Sequence, residues 1–108
     1  MDTLSDKEKL IQWFENQTDP EWSIIRKFWE DLTVKLPTLR IPCTGYNDVE
    51  KYKYMCWSEI DVYIDIDFID GTIDWFVYDR RTLESESSID PMDNPSDQFI
   101  ELLKKVCD

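Results

Sequence analysis

The stretch Ile60-Asp61-Val62-Tyr63-Ile64-Asp65-Ile66-Asp67-Phe68-Ile69-Asp70-Gly71-Thr72-Ile73-Asp74-Trp75-Phe76-Val77-Tyr78 places two alternating runs on either side of an Asp-Gly pair. A period of two marks strands whose faces differ. Asp-Gly between such runs marks a two-residue type I′ hairpin, whose central residues both need positive φ. With Asp70 and Gly71 at the centre, the register follows. Ile69 lies opposite Thr72, Phe68 opposite Ile73, Asp67 opposite Asp74, Ile66 opposite Trp75, Asp65 opposite Phe76, Ile64 opposite Val77 and Tyr63 opposite Tyr78. One face then carries Ile64, Ile66, Phe68, Ile73, Trp75 and Val77 and must be core. The other carries Asp61, Tyr63, Asp65, Asp67, Asp74, Phe76 and Tyr78.

Moving outward, Lys51 to Trp57 reads as another strand. Lys51, Lys53, Met55 and Trp57 share one side; Tyr52, Tyr54 and Cys56 share the other. Leu39, Ile41 and Cys43 suggest a strand before it, placed at an edge by Pro42, with Gly45-Tyr46-Asn47-Asp48 as a turn. After the hairpin, Asp79-Arg80-Arg81 leads out of the sheet, or Thr82 to Ser87 extends it as a polar edge. Ser85 to Ser96, rich in Ser, Asp and Pro, reads as a surface loop.

Helical spacing appears only toward the ends. Ser5 and Glu8 form a capping-box pattern ahead of Leu10, Trp13 and Phe14. Asp19-Pro20 opens a second helix along Trp22, Ile25, Phe28, Trp29, Leu32 and Leu36, which Pro37 closes. A last helix starts at Asn94 or Ser96 and uses Phe99, Ile100, Leu103 and Val106. Strands grouped together with helices at the ends imply the α+β class. The predicted fold is an antiparallel three- to four-stranded sheet with an N-terminal helical hairpin and a C-terminal helix packed on one face, as a single acidic domain over residues 1–108.

The chain has 108 residues with 24 acidic and 12 basic side chains, for a net charge of −12. The acidic excess runs through every third of the sequence, so it belongs to the fold and not to a tail. Aromatics make up 14%, far too many for a disordered chain of this charge. Such a surface repels nucleic acid and anionic membranes and attracts cationic proteins. We therefore expect neither direct nucleic-acid nor membrane contact. Cys43, Cys56 and Cys107 show no metal-binding spacing, and Met1 to Asp6 lacks the features of a secretory leader, which predicts a cytoplasmic protein.

Catalysis has little to work with. Histidine is absent, which removes the commonest general base. Two glycines, Gly45 and Gly71, cannot build a phosphate-cradling loop. No enzyme activity, metal or cofactor is expected.

The unusual feature is Asp67 facing Asp74 with Asp65 alongside, because directly opposed like charges weaken a sheet. A basic protein surface, a hard metal ion or plain solvation would each compensate. In size, acidity and fold type the chain resembles a loose class of small acidic inhibitors. That class includes phage anti-CRISPR and anti-restriction proteins that mimic DNA, and immunity proteins that neutralise nuclease toxins. The resemblance implies a protein that blocks the nucleic-acid site of a basic partner, such as a nuclease. The residues expected to bind it are Asp61, Tyr63, Asp65, Asp67, Asp74, Phe76 and Tyr78, joined by Glu84 and Glu86 from the loop that follows. The alternative is a general interaction or adaptor domain without inhibitory activity, monomeric or homodimeric.

Overall fold

The structure, a computed structural model, describes residues 4–108; residues 1–3, part of the stretch read as lacking a leader, lie outside the described residues. The chain divides into two compact units, one ending at Pro37 and one spanning Thr38–Asp108. No described helix is long and apolar enough to cross a membrane.

The first unit is a pair of helices, α1 (Asp6–Glu15) and α2 (Glu21–Lys35). The Ser5 hydroxyl accepts from the Glu8 N–H at 3.2 Å and donates to Glu8 Oε1 at 3.0 Å, so Ser5 caps the helix as read, while Glu8 answers its hydroxyl and not its backbone N–H. At α2, Asp19 Oδ1 accepts from the Glu21 N–H at 2.9 Å. Pro20 already has helical angles, φ −62° and ψ −20°, where its missing N–H costs nothing. Leu36 leaves the helical region at φ −129° because Pro37 crowds it. Between the helices, Trp13 meets Trp22 edge-on with ring centroids 4.7 Å apart. The stripe Trp22, Ile25, Phe28, Trp29 and Leu32 is buried.

The second unit is a five-stranded antiparallel meander. Its strands are β1 (Cys43–Asn47), β2 (Tyr52–Ser58), β3 (Val62–Ile69), β4 (Thr72–Asp79) and β5 (Glu84–Pro91). α3 (Asp97–Leu103) and a 3₁₀ turn (Lys104–Val106) follow. The central hairpin has the register read from the sequence, from Ile69–Thr72 through Asp67–Asp74 to Tyr63–Tyr78. Its turn supplies the backbone that the type I′ form demands, with φ of 50° at Asp70 and 78° at Gly71. Met55, Ile64, Ile66, Ile73 and Trp75 are fully enclosed on one face. α3 lies over that face, with the Phe99 ring tilted against Trp75 at 5.6 Å between centroids, and Phe99, Leu103 and Val106 fully buried.

The α+β class holds, but the sheet has five strands instead of three or four. The first strand begins at Cys43 and runs through the expected turn. Leu39 makes only an isolated bridge to Cys107. Pro42 has no N–H to give a ladder. Gly45 is usable as a strand residue because the Tyr54 ring from β2 lies over it, where a Cβ would meet the Tyr54 hydroxyl. The turn falls three residues later, at residues 48–51. Asn47 Oδ1 accepts from the N–H groups of Val49 and Glu50, and Lys51 takes φ 65°.

The alternative of a polar edge strand after the hairpin is the one that forms, but β5 runs to Pro91 through most of the segment from Ser85 expected as a loop, paired with β4 from Thr72–Pro91 to Asp79–Glu84. A turn folds the chain back: Asp79 Oδ1 accepts from the Arg81 and Thr82 N–H groups, and Leu83 takes φ 63°. The far end is anchored by Asp90, which is only 8% exposed. One oxygen, Oδ2, accepts from Trp75 Nε1 at 2.9 Å, Ser96 N–H at 3.0 Å and the Ser96 hydroxyl at 2.7 Å. Ser96 in turn caps α3 through the Phe99 N–H. Burial pushes the Asp90 carboxyl up, but the bonds from Ser96 and Trp75 outweigh it and hold the group below its usual range.

Because the folded pKa is depressed, Asp90 stabilises the fold above its unfolded value of about 3.9, and that contribution is lost as pH falls through the folded value. Asp90→Ala strands the Trp75 N–H and loosens the cap. A loss of ~2–4 kcal/mol is expected in urea unfolding at neutral pH. A variant as stable as the parent would show that α3 is not anchored through this side chain.

Candidate partner-binding face

The period-two argument puts the remaining side chains of β2, β3 and β4 on the face opposite α3. Two adjoining rows cross that face. One runs Cys43, Cys56, Asp65, Phe76 and Ser87; the next runs Gly45, Tyr54, Asp67, Asp74 and Ile89. Tyr63 and Tyr78 stand opposite each other beside the first row, followed by Ser85. Asp67 and Asp74 are direct cross-strand partners, and Asp65 lies beside them on the same face.

The three aspartates are half-buried. Among the described residues none of them forms an ion pair. Burial first, then the hydrogen bond to Asp67 and the charges of Asp67 and Asp74, push the Asp65 carboxyl up to about 7. Asp67 is raised as well, by burial and by the charge of Asp74, against the opposing pull of its hydrogen bonds to Asp65 and Tyr52. The Tyr52 hydroxyl is itself supported by Asn47 Nδ2 at 3.3 Å. Even so, Asp67 Oδ1 is buried with no hydrogen-bond partner. Burial, followed by the nearby carboxylates, raises the phenols of Tyr52 and Tyr63.

The structure thus brings Tyr63, Asp65, Asp67, Asp74, Phe76 and Tyr78 onto one face. Phe76 is 38% exposed, and Ile89 beside Asp74 is 64% exposed. It does not bring the other three expected residues to that group. Asp61 lies just before β3, where its carboxylate is tied to Arg81 at 2.7 Å. Glu84 and Glu86 are partners of Asp79 and Val77, so they point to the face that carries α3. They line a small recess there with Leu102 and Lys105. Tyr52, Tyr54 and Ile89 join the face without having been singled out. Tyr52 and Tyr54 were legible from the β2 alternation, whereas Ile89 depends on the continuation of β5 beyond Ser87, which was read as loop.

Among the described residues no three His, Cys, Asp or Glu side chains are arranged to hold a metal ion. The recess formed by Asp61, Val62, Asp79, Arg81 and Lys105 has a volume of about 190 Å³ and carries charges of both signs. No family model, curated protein or solved structure matches the chain. What the aspartate face does must therefore be argued from its own geometry. It offers one buried acceptor without a donor, negative charge with no counter-charge among the described residues, and rings on which a planar cation can stack.

The raised Asp65 carboxyl fixes the sign of a pH effect. Between about 4 and 7 the folded state holds a proton that the unfolded chain has released. Stability therefore declines as pH rises through that window, and the full penalty applies above it. Asp65→Asn removes the penalty. The variant is expected to be ~1–2 kcal/mol more stable than the parent at pH 8, after discounting for partial exposure, and equal to it near pH 4. Urea midpoints at the two pH values measure the difference. A variant less stable than the parent at pH 8 would contradict the assignment.

Proposed function

We propose that the chain is an inhibitor that docks its Asp65, Asp67 and Asp74 face onto the cationic nucleic-acid-binding surface of a partner protein. The mode of action would be that of an anti-CRISPR or anti-restriction DNA mimic, or of an immunity protein that neutralises a nuclease toxin. One observation carries the reading: three carboxylates sit together beside exposed aromatic surface with no cation paired to them among the described residues, and one buried oxygen, Asp67 Oδ1, lacks a donor.

An arginine satisfies all of these demands. Its guanidinium donates in a fork matched to carboxylates and stacks on aromatic rings. Carboxylates across a strand pair are spaced by about 4.5–7 Å, comparable to successive phosphates along a nucleic-acid backbone. Such a partner surface already binds anions. The overall charge of −12 steers the encounter, so association should be fast and salt-sensitive. In this reading the protein works in the cytoplasm without cofactor, metal or membrane.

The test begins with capture of a basic nuclease from lysate at low salt and its release at high salt. It is then decided by measured inhibition of that enzyme's nucleic-acid binding. The triple change Asp65→Asn, Asp67→Asn and Asp74→Asn should leave the protein folded while weakening binding at least about tenfold and flattening its salt dependence. A folded triple variant with unchanged affinity and salt slope would remove this face from the interface. A stable self-dimer in light scattering, with no effect on any nuclease, would favour the adaptor alternative.

A further inference from the structure

Cys43 in β1 and Cys56 in β2 are direct cross-strand partners on the aspartate face, and both are free thiols. Residues so opposed in an antiparallel pair have Cα atoms about 4.5–5.5 Å apart. A disulfide spans roughly 4.4–6.8 Å, so the backbone already has the required separation. The side chains lie on the same face of adjoining strands. Their surroundings differ. Cys43 is exposed on the edge strand, while Cys56 is half-buried beside its other cross-strand partner, Asp65. The third cysteine, Cys107, lies elsewhere, with its thiol donating to the Leu103 carbonyl at 3.6 Å.

We propose that Cys43 and Cys56 form a redox modification site, a dithiol that a low-molecular-weight disulfide such as glutathione disulfide converts to a cross-strand disulfide. This inference is independent of the docking reading. The exposed Cys43 is the entry point, because burial, and then the proximity of Cys43 and Asp65, push the Cys56 thiol up to about 11 and leave little thiolate there. The Cys43 thiolate attacks one sulfur of glutathione disulfide, forming a mixed disulfide and releasing one glutathione thiolate. Cys56, as its thiolate, then attacks the Cys43 sulfur of that mixed disulfide and releases the second. Both protein thiols are oxidised, their two protons pass to the two glutathiones, and the oxidant is reduced by two electrons. Closure staples the edge strand β1 to β2 beside Asp65. In a reducing compartment the pair stays open until such an oxidant accumulates.

The experiment treats the full chain with glutathione disulfide, alkylates the remaining thiols and measures intact mass. Non-reducing peptide mapping follows. The expected product has lost the Cys43 and Cys56 thiols without gaining glutathione, keeps Cys107 alkylated, and yields one peptide pair linked through residues 43 and 56. Its melting temperature should rise by several degrees, because the bond restricts the unfolded chain. Cys56→Ser should stop at one glutathione on Cys43, which identifies the first attack. Three results would overturn the proposal: glutathione retained on Cys43 of the parent protein, oxidation of Cys107 ahead of the pair, or a disulfide-linked dimer.

Discussion

Asp70 and Gly71 both take positive φ, at 50° and 78°, and this two-residue turn sets the register of everything after it and before it. The sheet is a meander in sequence order, so each strand inherits its parity from its neighbour. A slip of one residue at the turn would move every side chain of a strand to the other face. Ile64, Ile66, Ile73 and Trp75 would be exposed and Asp65, Asp67 and Asp74 enclosed. Burying one large apolar side chain is worth about 1.5–3 kcal/mol. An opposed pair of like charges costs at most about 1 kcal/mol. The core face therefore wins easily, and the Asp67–Asp74 opposition is tolerated as its consequence.

The same arithmetic explains what could be read in advance. The hairpin was legible because local turn chemistry and alternation agree there, and six of the nine expected face residues followed from it: Tyr63, Asp65, Asp67, Asp74, Phe76 and Tyr78. β5 was legible only in part. Its sequence, Glu84-Ser85-Glu86-Ser87-Ser88-Ile89-Asp90-Pro91, has almost no apolar residue to mark a period. It is a strand because β4 offers a ladder, Asp79 folds the turn, and Asp90 fastens the far end. Reading that segment as a loop let Glu84 and Glu86 be grouped with the aspartates, while the ladder assigns them to the other face. β1 failed for a related reason. Gly45 reads as a turn residue alone, and only a cross-strand Tyr54 ring makes it a good strand residue.

Two aspartates in this sheet show how neighbours decide the fate of a buried carboxyl. Asp90 and Asp65 both suffer desolvation, which favours the neutral form. Asp90 receives donors from a tryptophan and a serine, so it remains charged and ties α3 to the sheet. Asp65 receives only other carboxylates, so it holds a proton well above the usual carboxylate range. One is a structural anion that the fold has satisfied. The other belongs to a group the fold has left unsatisfied.

That contrast bears on why the face should be understood as a surface awaiting a cation. A merely solvated acidic face would let its carboxylates extend into water, where screening makes their repulsion small. Here they are half-buried, so part of their hydration has already been given up during folding. Removing water from charged groups is a large part of what a polar interface costs. A guanidinium arriving at this face would meet acceptors that are already partly dehydrated and fixed in position by a sheet. Its charge would also draw Asp65 back toward the ionised form and expel the shared proton. The mutual repulsion of three aspartates that lack a cation among the described residues would thereby be relieved on binding, so a local defect in the free protein becomes a source of affinity in the complex.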